Sequence, residues 1–136
     1  MTVAFATITS DQQDGRRYTL GARDDIEVVF RADGEEVQGR YAVAEWWMAP
    51  GAPALESHVH EANDEIMFVM EGTATILVGE EWRRFDKGAV VIVPAGTAHG
   101  FRNDGEERMG VLNIFTNGAY EAMMPAIKEL FAAKTG

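Results

Sequence analysis

The chain contains no cysteine, which excludes disulfides, thiolate nucleophiles and thiolate metal ligands. A metal site here has to be built from imidazole, carboxylate, backbone and water. No window approaches the roughly 20 apolar residues that span a bilayer. The N-terminal "MTVAFATITSDQQDG" has neither the charged start nor the long apolar run of a signal peptide. A cytoplasmic location without a membrane partner is therefore expected. Basic residues are scarce: 12 Lys+Arg against 22 Asp+Glu leave a net charge of −10, the wrong sign for a phosphate backbone. "GRR" at 15–17 and "WRR" at 82–84 are isolated pairs, so no nucleic-acid partner is expected. Linkers, repeats and low-complexity stretches are also missing, and 136 residues suit one domain, 1–136, with one core.

What is present up to about residue 117 is a succession of short β-rich runs cut by turn residues, the pattern of an all-β barrel or sandwich. Candidate strands are 18–20, 26–30, 40–48, 65–72, 73–79, 80–85, 89–93, 98–103 and 109–116. "RADGEE", "APGAP", "VGEE", "FDKG", "PAGT" and "NDGEE" between them supply glycine or proline for tight turns. The last stretch differs. Tyr120, Met123, Met124, Ile127, Leu130 and Phe131 fall at helical spacing and predict a helix packed over one end of the barrel. Asn117 is a plausible N-cap, and Pro125 should kink or restart the helix.

Only three histidines occur, and two of them stand one residue apart in "SHVHEANDEIMFVMEG". Alternation along a strand projects His58 and His60 to one side. A turn through "EAND" lets Glu65 open the neighbouring antiparallel strand, facing the same interior. His99, after the proline–glycine turn of "PAGTAHGFRN", can join them from a third strand if the sheet curls. Packing and metal binding are both open on this pattern alone.

The segment "G-APALES-HVH-EAND-E-IMFVME-G", from Gly51 to Gly72, resembles the first signature of the cupin superfamily. The segment "G-AVVIV-P-A-G-TA-H-GFR-N", from Gly88 to Asn103, resembles the second. Six rather than five residues separate Gly51 from His58, and 15 residues lie between the two motifs. The resemblance implies a cupin-type double-stranded β-helix, or jelly-roll, barrel with a short C-terminal helix. It also implies a homodimer and one divalent transition metal held by His58, His60, Glu65 and His99. Within the motifs, Gly72 suits a bend between strands, and Pro94 with Gly96 suits a tight turn. Asn103, on the face of His99, either orients a water or caps a local turn.

Three imidazoles and a carboxylate suit Fe, Mn, Ni, Co, Cu or Zn and disfavour calcium. On an octahedral ion, four protein ligands leave two positions for substrate, water or dioxygen. By parity Met67 and Val69 share the face of Glu65, and Phe101 that of His99, which predicts an apolar pocket. Ile66, Phe68 and Met70 then face outward, to be covered by a partner subunit or by the C-terminal helix. Trp46 and Trp47 are consecutive, so one points in and the other out. Such a pocket suits an aromatic or carbonyl-bearing small molecule better than a sugar phosphate. The chain further resembles single-domain quercetin dioxygenase-like cupins, which implies a dioxygenase in which Glu65 also accepts a substrate proton. A non-redox lyase, isomerase or cyclase, and a non-enzymatic binder of small molecules, are the alternatives.

Overall fold

The computed structural model describes residues 7–33, 36–118 and 120–132. Ten strands make two antiparallel sheets, as an all-β jelly roll requires. The strands are β1 (Arg16–Leu20), β2 (Ile26–Ala32), β3 (Tyr41–Met48), β4 (Leu55–His58), β5 (Glu65–Glu71), β6 (Thr73–Val78), β7 (Glu81–Asp86), β8 (Val90–Val93), β9 (His99–Arg102) and β10 (Met109–Thr116). The larger sheet has the order β1-β2-β3-β10-β5-β8, and the smaller β4-β9-β6-β7. Period-two alternation decides which face of each strand meets the core. In β3, Ala42, Ala44, Trp46 and Met48 are buried, while Tyr41, Val43, Glu45 and Trp47 are only partly so. In β10, Val111, Asn113 and Phe115 point the same way. The opposing sheet contributes Ala74, Ile76 and Phe101 to the same core.

The strand absent from the apolar reading is β4. "LESH" carries no hydrophobic alternation, and it becomes a strand because its backbone pairs with β9, His58 lying opposite His99. Gly72 joins β5 to β6 at φ +66°, and a Cβ there would sit 2.6 Å from the Arg108 carbonyl, so the corner requires glycine. Asn103 caps a turn: it donates to the Met48 and Glu107 carbonyls, at 2.9 and 2.8 Å, and accepts from the Gly105 amide at 2.9 Å.

The C-terminal segment forms a 3-10 turn over Glu121–Met123 and then α1 over Met124–Ala132. Pro125 sits in the first turn of α1, where no amide hydrogen is needed, so it restarts the helix rather than kinking it. Asn117 is not the N-cap. Its backbone is left-handed, at φ +56°, and its side chain donates to the Ala62 carbonyl at 3.1 Å. The capping acceptor comes from far up the chain instead: Asp33, after β2, accepts from the Tyr120 and Glu121 amides at 3.0 and 3.1 Å. α1 packs near β1, with Met124 and Phe131 buried, and leaves Phe68, Val90 and Ile92 on the outer face of the large sheet exposed. No helix among the described residues is long and apolar enough to cross a membrane.

Candidate metal centre

His58 ends β4, His60 follows two residues later, Glu65 opens β5, and His99 opens β9. The loop and turn that carry them are tied together. The Gly96 amide donates to the His60 carbonyl at 2.8 Å. The Ala95 amide donates to the Asp64 carboxylate at 2.8 Å. Asn63 donates to the Thr116 and Asn117 carbonyls, at 2.6 and 2.9 Å, anchoring the same loop to the end of β10. The left-handed Gly96, at φ +80°, lets the Pro94–Thr97 turn close between these bonds. These polar ties fix where the imidazoles stand.

One ligand atom from each of His58, His60, Glu65 and His99 lies within 4.8 Å of all the others. Glu65 Oε1 is 3.2 Å from His60 Nε2 and 3.1 Å from His99 Nε2. His58 and His99 pack ring to ring with centroids 4.2 Å apart. His58 Nδ1 lies 2.8 Å from the Glu56 carbonyl, and His99 Nδ1 lies 2.9 Å from the Thr97 carbonyl. A carbonyl only accepts, so in both rings the Nδ1 proton is spoken for and Nε2 is left as the coordinating atom. Such outer hydrogen bonds orient the imidazole ligands of metal sites.

The buried His99 Nε2 has no hydrogen-bond partner of good geometry. With its lone pair aimed at a carboxylate oxygen, it is stable only with a cation between them or a proton on the ring. Burial opposes a charge on His99, but the adjacent Glu65 carboxylate outweighs it and raises its pKa. Burial also works against ionised Glu65, yet the adjacent His60 and His99 imidazoles and the Asn113 amide hold its carboxyl well below the usual range. His58, further from the carboxylate, is shifted downward by burial. An ionised carboxylate facing imidazole nitrogens is a donor set for a divalent transition ion, and the four side chains fit one.

Beside this cluster opens a cavity of about 350 Å³. His58, His60 and Glu65, with Glu56 and Ser57, form one part of its wall, and Trp46, Leu55, Phe101 and Phe115 form an apolar part. Met123, Ile127 and Leu130 close the side under the C-terminal helix. Of the two tryptophans, Trp46 faces in, edge-on to Phe101 at 5.3 Å, and Trp47 faces out, beneath the Arg108 guanidinium. Phe101 lines the cavity as its parity with His99 indicates. Met67 and Val69 are fully buried in the core and do not line it, because one strand turn beyond Glu65 the inward face of β5 meets the packed interior. Asn113 and Tyr120 do line the cavity, and the sequence reading passed over both. A single asparagine at an inward position of "VLNIFT" was the available signal; Tyr120 was hidden among the apolar residues of the helix.

The region 44–115 matches the family described as Cupin domain, just over half of the chain. An uncharacterized protein of Streptomyces coelicolor is 42% identical over 65 residues, which is 48% of this chain and 61% of that protein. The match therefore spans about three fifths of the length of that relative. KdgF from Halomonas sp. superposes with a TM-score of 0.70 at 18% identity, covering 83% of this chain and 97% of that one. The polyketide cyclase RemF from Streptomyces resistomycificus gives 0.68 at 17% identity, covering 84% and 82%. These two likenesses concern the fold. With both histidine motifs inside the matched region and the jelly roll around them, the chain belongs to the cupin domain family.

Proposed function

We propose that the chain is a divalent-metal-dependent oxidoreductase of the dioxygenase type, acting on a small enolisable or phenolic compound. The convergence of His58, His60, Glu65 and His99 beside a mostly apolar cavity is the observation that carries this reading. A bound Fe, Mn, Ni, Co, Cu or Zn ion would supply Lewis acidity toward a substrate oxygen and, where redox-active, a route for electrons to dioxygen. The three imidazoles are uncharged ligands, and Glu65 offsets one of the ion's two charges. The second oxygen of Glu65, held by Asn113 at 3.1 Å, is the one available to take a proton from a substrate hydroxyl. Trp46, Phe101 and Phe115 enclose a flat molecule and exclude water. Among the described residues no lysine or arginine lines the cavity, which disfavours a sugar phosphate.

Oxygen uptake by metal-loaded protein against a panel of phenols and enolisable ketones tests the proposal. Substrate-dependent uptake is expected, with Glu65→Gln losing more activity than metal. Turnover that continues unchanged without oxygen would instead select a lyase, isomerase or cyclase. The fold likeness to a polyketide cyclase together with the apolar pocket favours that as the second reading. Saturable binding with no product would leave a small-molecule binder. A cytoplasmic homodimer, joined through the exposed outer face of the large sheet, completes the proposal. Phe68, Val90 and Ile92 are 39%, 57% and 65% exposed there, an apolar row for a partner subunit to cover.

A further inference from the structure

Two buried polar atoms on residues that line the cavity lack a hydrogen-bond partner among the described residues. Asn113 Oδ1 and the Tyr120 hydroxyl are both buried without a hydrogen bond, on side chains whose residues are 4% and 7% exposed. The Asn113 orientation is forced: its amide nitrogen must face the Glu65 carboxylate, to which it donates at 3.1 Å, so its oxygen turns away. The polar group beside the Tyr120 hydroxyl is the Trp46 indole, which can donate but not accept. The phenol proton therefore has no acceptor among the described residues. Burial pushes the phenol well above its usual range, so it stays protonated and remains a donor. Each orphaned buried group carries the cost of lost hydration, which asks for a compensating role.

Tyr120 is also held in place more firmly than a loop residue needs to be. The Asp33 carboxylate takes its backbone amide and that of Glu121, at 3.0 and 3.1 Å. The Glu121 carboxylate accepts from the Tyr18 hydroxyl at 2.7 Å and from Arg16 Nε at 2.8 and 3.0 Å. The Tyr120 ring is wedged against Phe30 and Phe115, with centroids 4.8 and 5.0 Å away. Phe115 in turn meets His60 edge-on at 5.0 Å, so one row of rings runs from the metal cluster to Tyr120.

We propose that Tyr120 is the residue that reads the ligand: its hydroxyl donates a hydrogen bond to a carbonyl or enol oxygen of a flat, largely apolar molecule seated in this cavity. The inference rests on the reading of the cavity as a small-molecule site and narrows its ligand to an oxygen-bearing one. It does not require the metal.

The test uses the isosteric probes acetophenone and α-methylstyrene, which differ only in having oxygen or a methylene group. Binding is measured by calorimetry on the chelator-treated and on the nickel-loaded 136-residue chain, wild type and Tyr120→Phe. The ratio of acetophenone to α-methylstyrene affinity is expected to fall about three- to tenfold in the variant, with α-methylstyrene affinity and nickel stoichiometry unchanged. The ligand-free variant should melt at the wild-type temperature or slightly above it, since it loses only an unpartnered hydroxyl. An unchanged ratio overturns the proposal, as does a melting temperature lowered by several degrees, which would reveal a structural bond. Failure of wild type to bind acetophenone at millimolar concentration overturns it as well. Failure to hold nickel refutes the metal centre alone, because the probe comparison in chelated protein still stands.

Discussion

Asn113 donates from the middle of β10 to the Glu65 carboxylate at the start of β5, a contact of 3.1 Å. This leaves Oε1 of Glu65 between His60 and His99. The asparagine thus decides which carboxylate oxygen faces the imidazoles. Replacing it with leucine frees the carboxylate to rotate while keeping the core apolar. Nickel or cobalt affinity of Asn113→Leu, measured by competition with a chromogenic chelator, is expected to fall about 10- to 100-fold. Affinity equal to wild type would mean that the imidazoles alone fix the carboxylate.

Metal binding should release protons. The coordinating imidazoles must be neutral, and the neighbouring carboxylate raises His99 above its ordinary value of 6.5. In metal-free protein near that pH, His99 therefore carries a proton that the incoming ion expels. Affinity rises with pH until that proton is gone and then levels off with respect to it. His58 is shifted the other way by burial, so its share of the pH dependence ends at lower pH. Calorimetry in two buffers of different ionisation enthalpy, at pH 6.5 and at pH about 9, is expected to show more release at the lower value.

How much of this was legible in the chain follows from the physics of each element. The jelly roll shows in period-two alternation and turn chemistry, and all four clustered side chains show in two motifs whose spacing survives translation into space. β4 showed only through its histidines: one strand is expected to carry both His58 and His60, but it ends at His58, and "LESH" is a strand only by pairing with β9. The helix start did not show, since a carboxylate 87 positions away in the chain replaces a local cap. Strand parity placed Met67 and Val69 on the inward face correctly, but inward is not the same as pocket-lining: depth along the strand separates core from cavity. Asn113 and Tyr120 escaped because the first looked like one polar residue in an apolar strand, and the second like one more aromatic in a helix stripe.

The Asp33 carboxylate makes a further stability prediction. Asp33→Ala leaves two amides at the start of the C-terminal turn unpaired, a loss of about 1–2 kcal/mol by analogy with helix caps. Asp33→Asn, which keeps an acceptor oxygen, should lose much less. Urea unfolding midpoints of the two variants check this, and equal losses would assign the effect to charge rather than to capping.

The outer face of the large sheet predicts assembly. Ile66 of β5 lies between Ile114 of β10 and Ile92 of β8, and Phe68 lies between Leu112 and Val90. An aspartate at Phe68 or Ile92 should convert a dimer to a folded monomer in light scattering coupled to size exclusion. A wild-type monomer would remove the partner from the proposed function.

Four side chains from β4, the loop that follows it, β5 and β9 are held to bind one ion together, and elemental analysis of purified protein tests this most directly. Wild type is expected to carry about one equivalent of a divalent transition metal, and His58→Ala and His99→Ala to carry far less while staying folded. Full metal content in both variants, or none in wild type under every ion offered, would contradict the account.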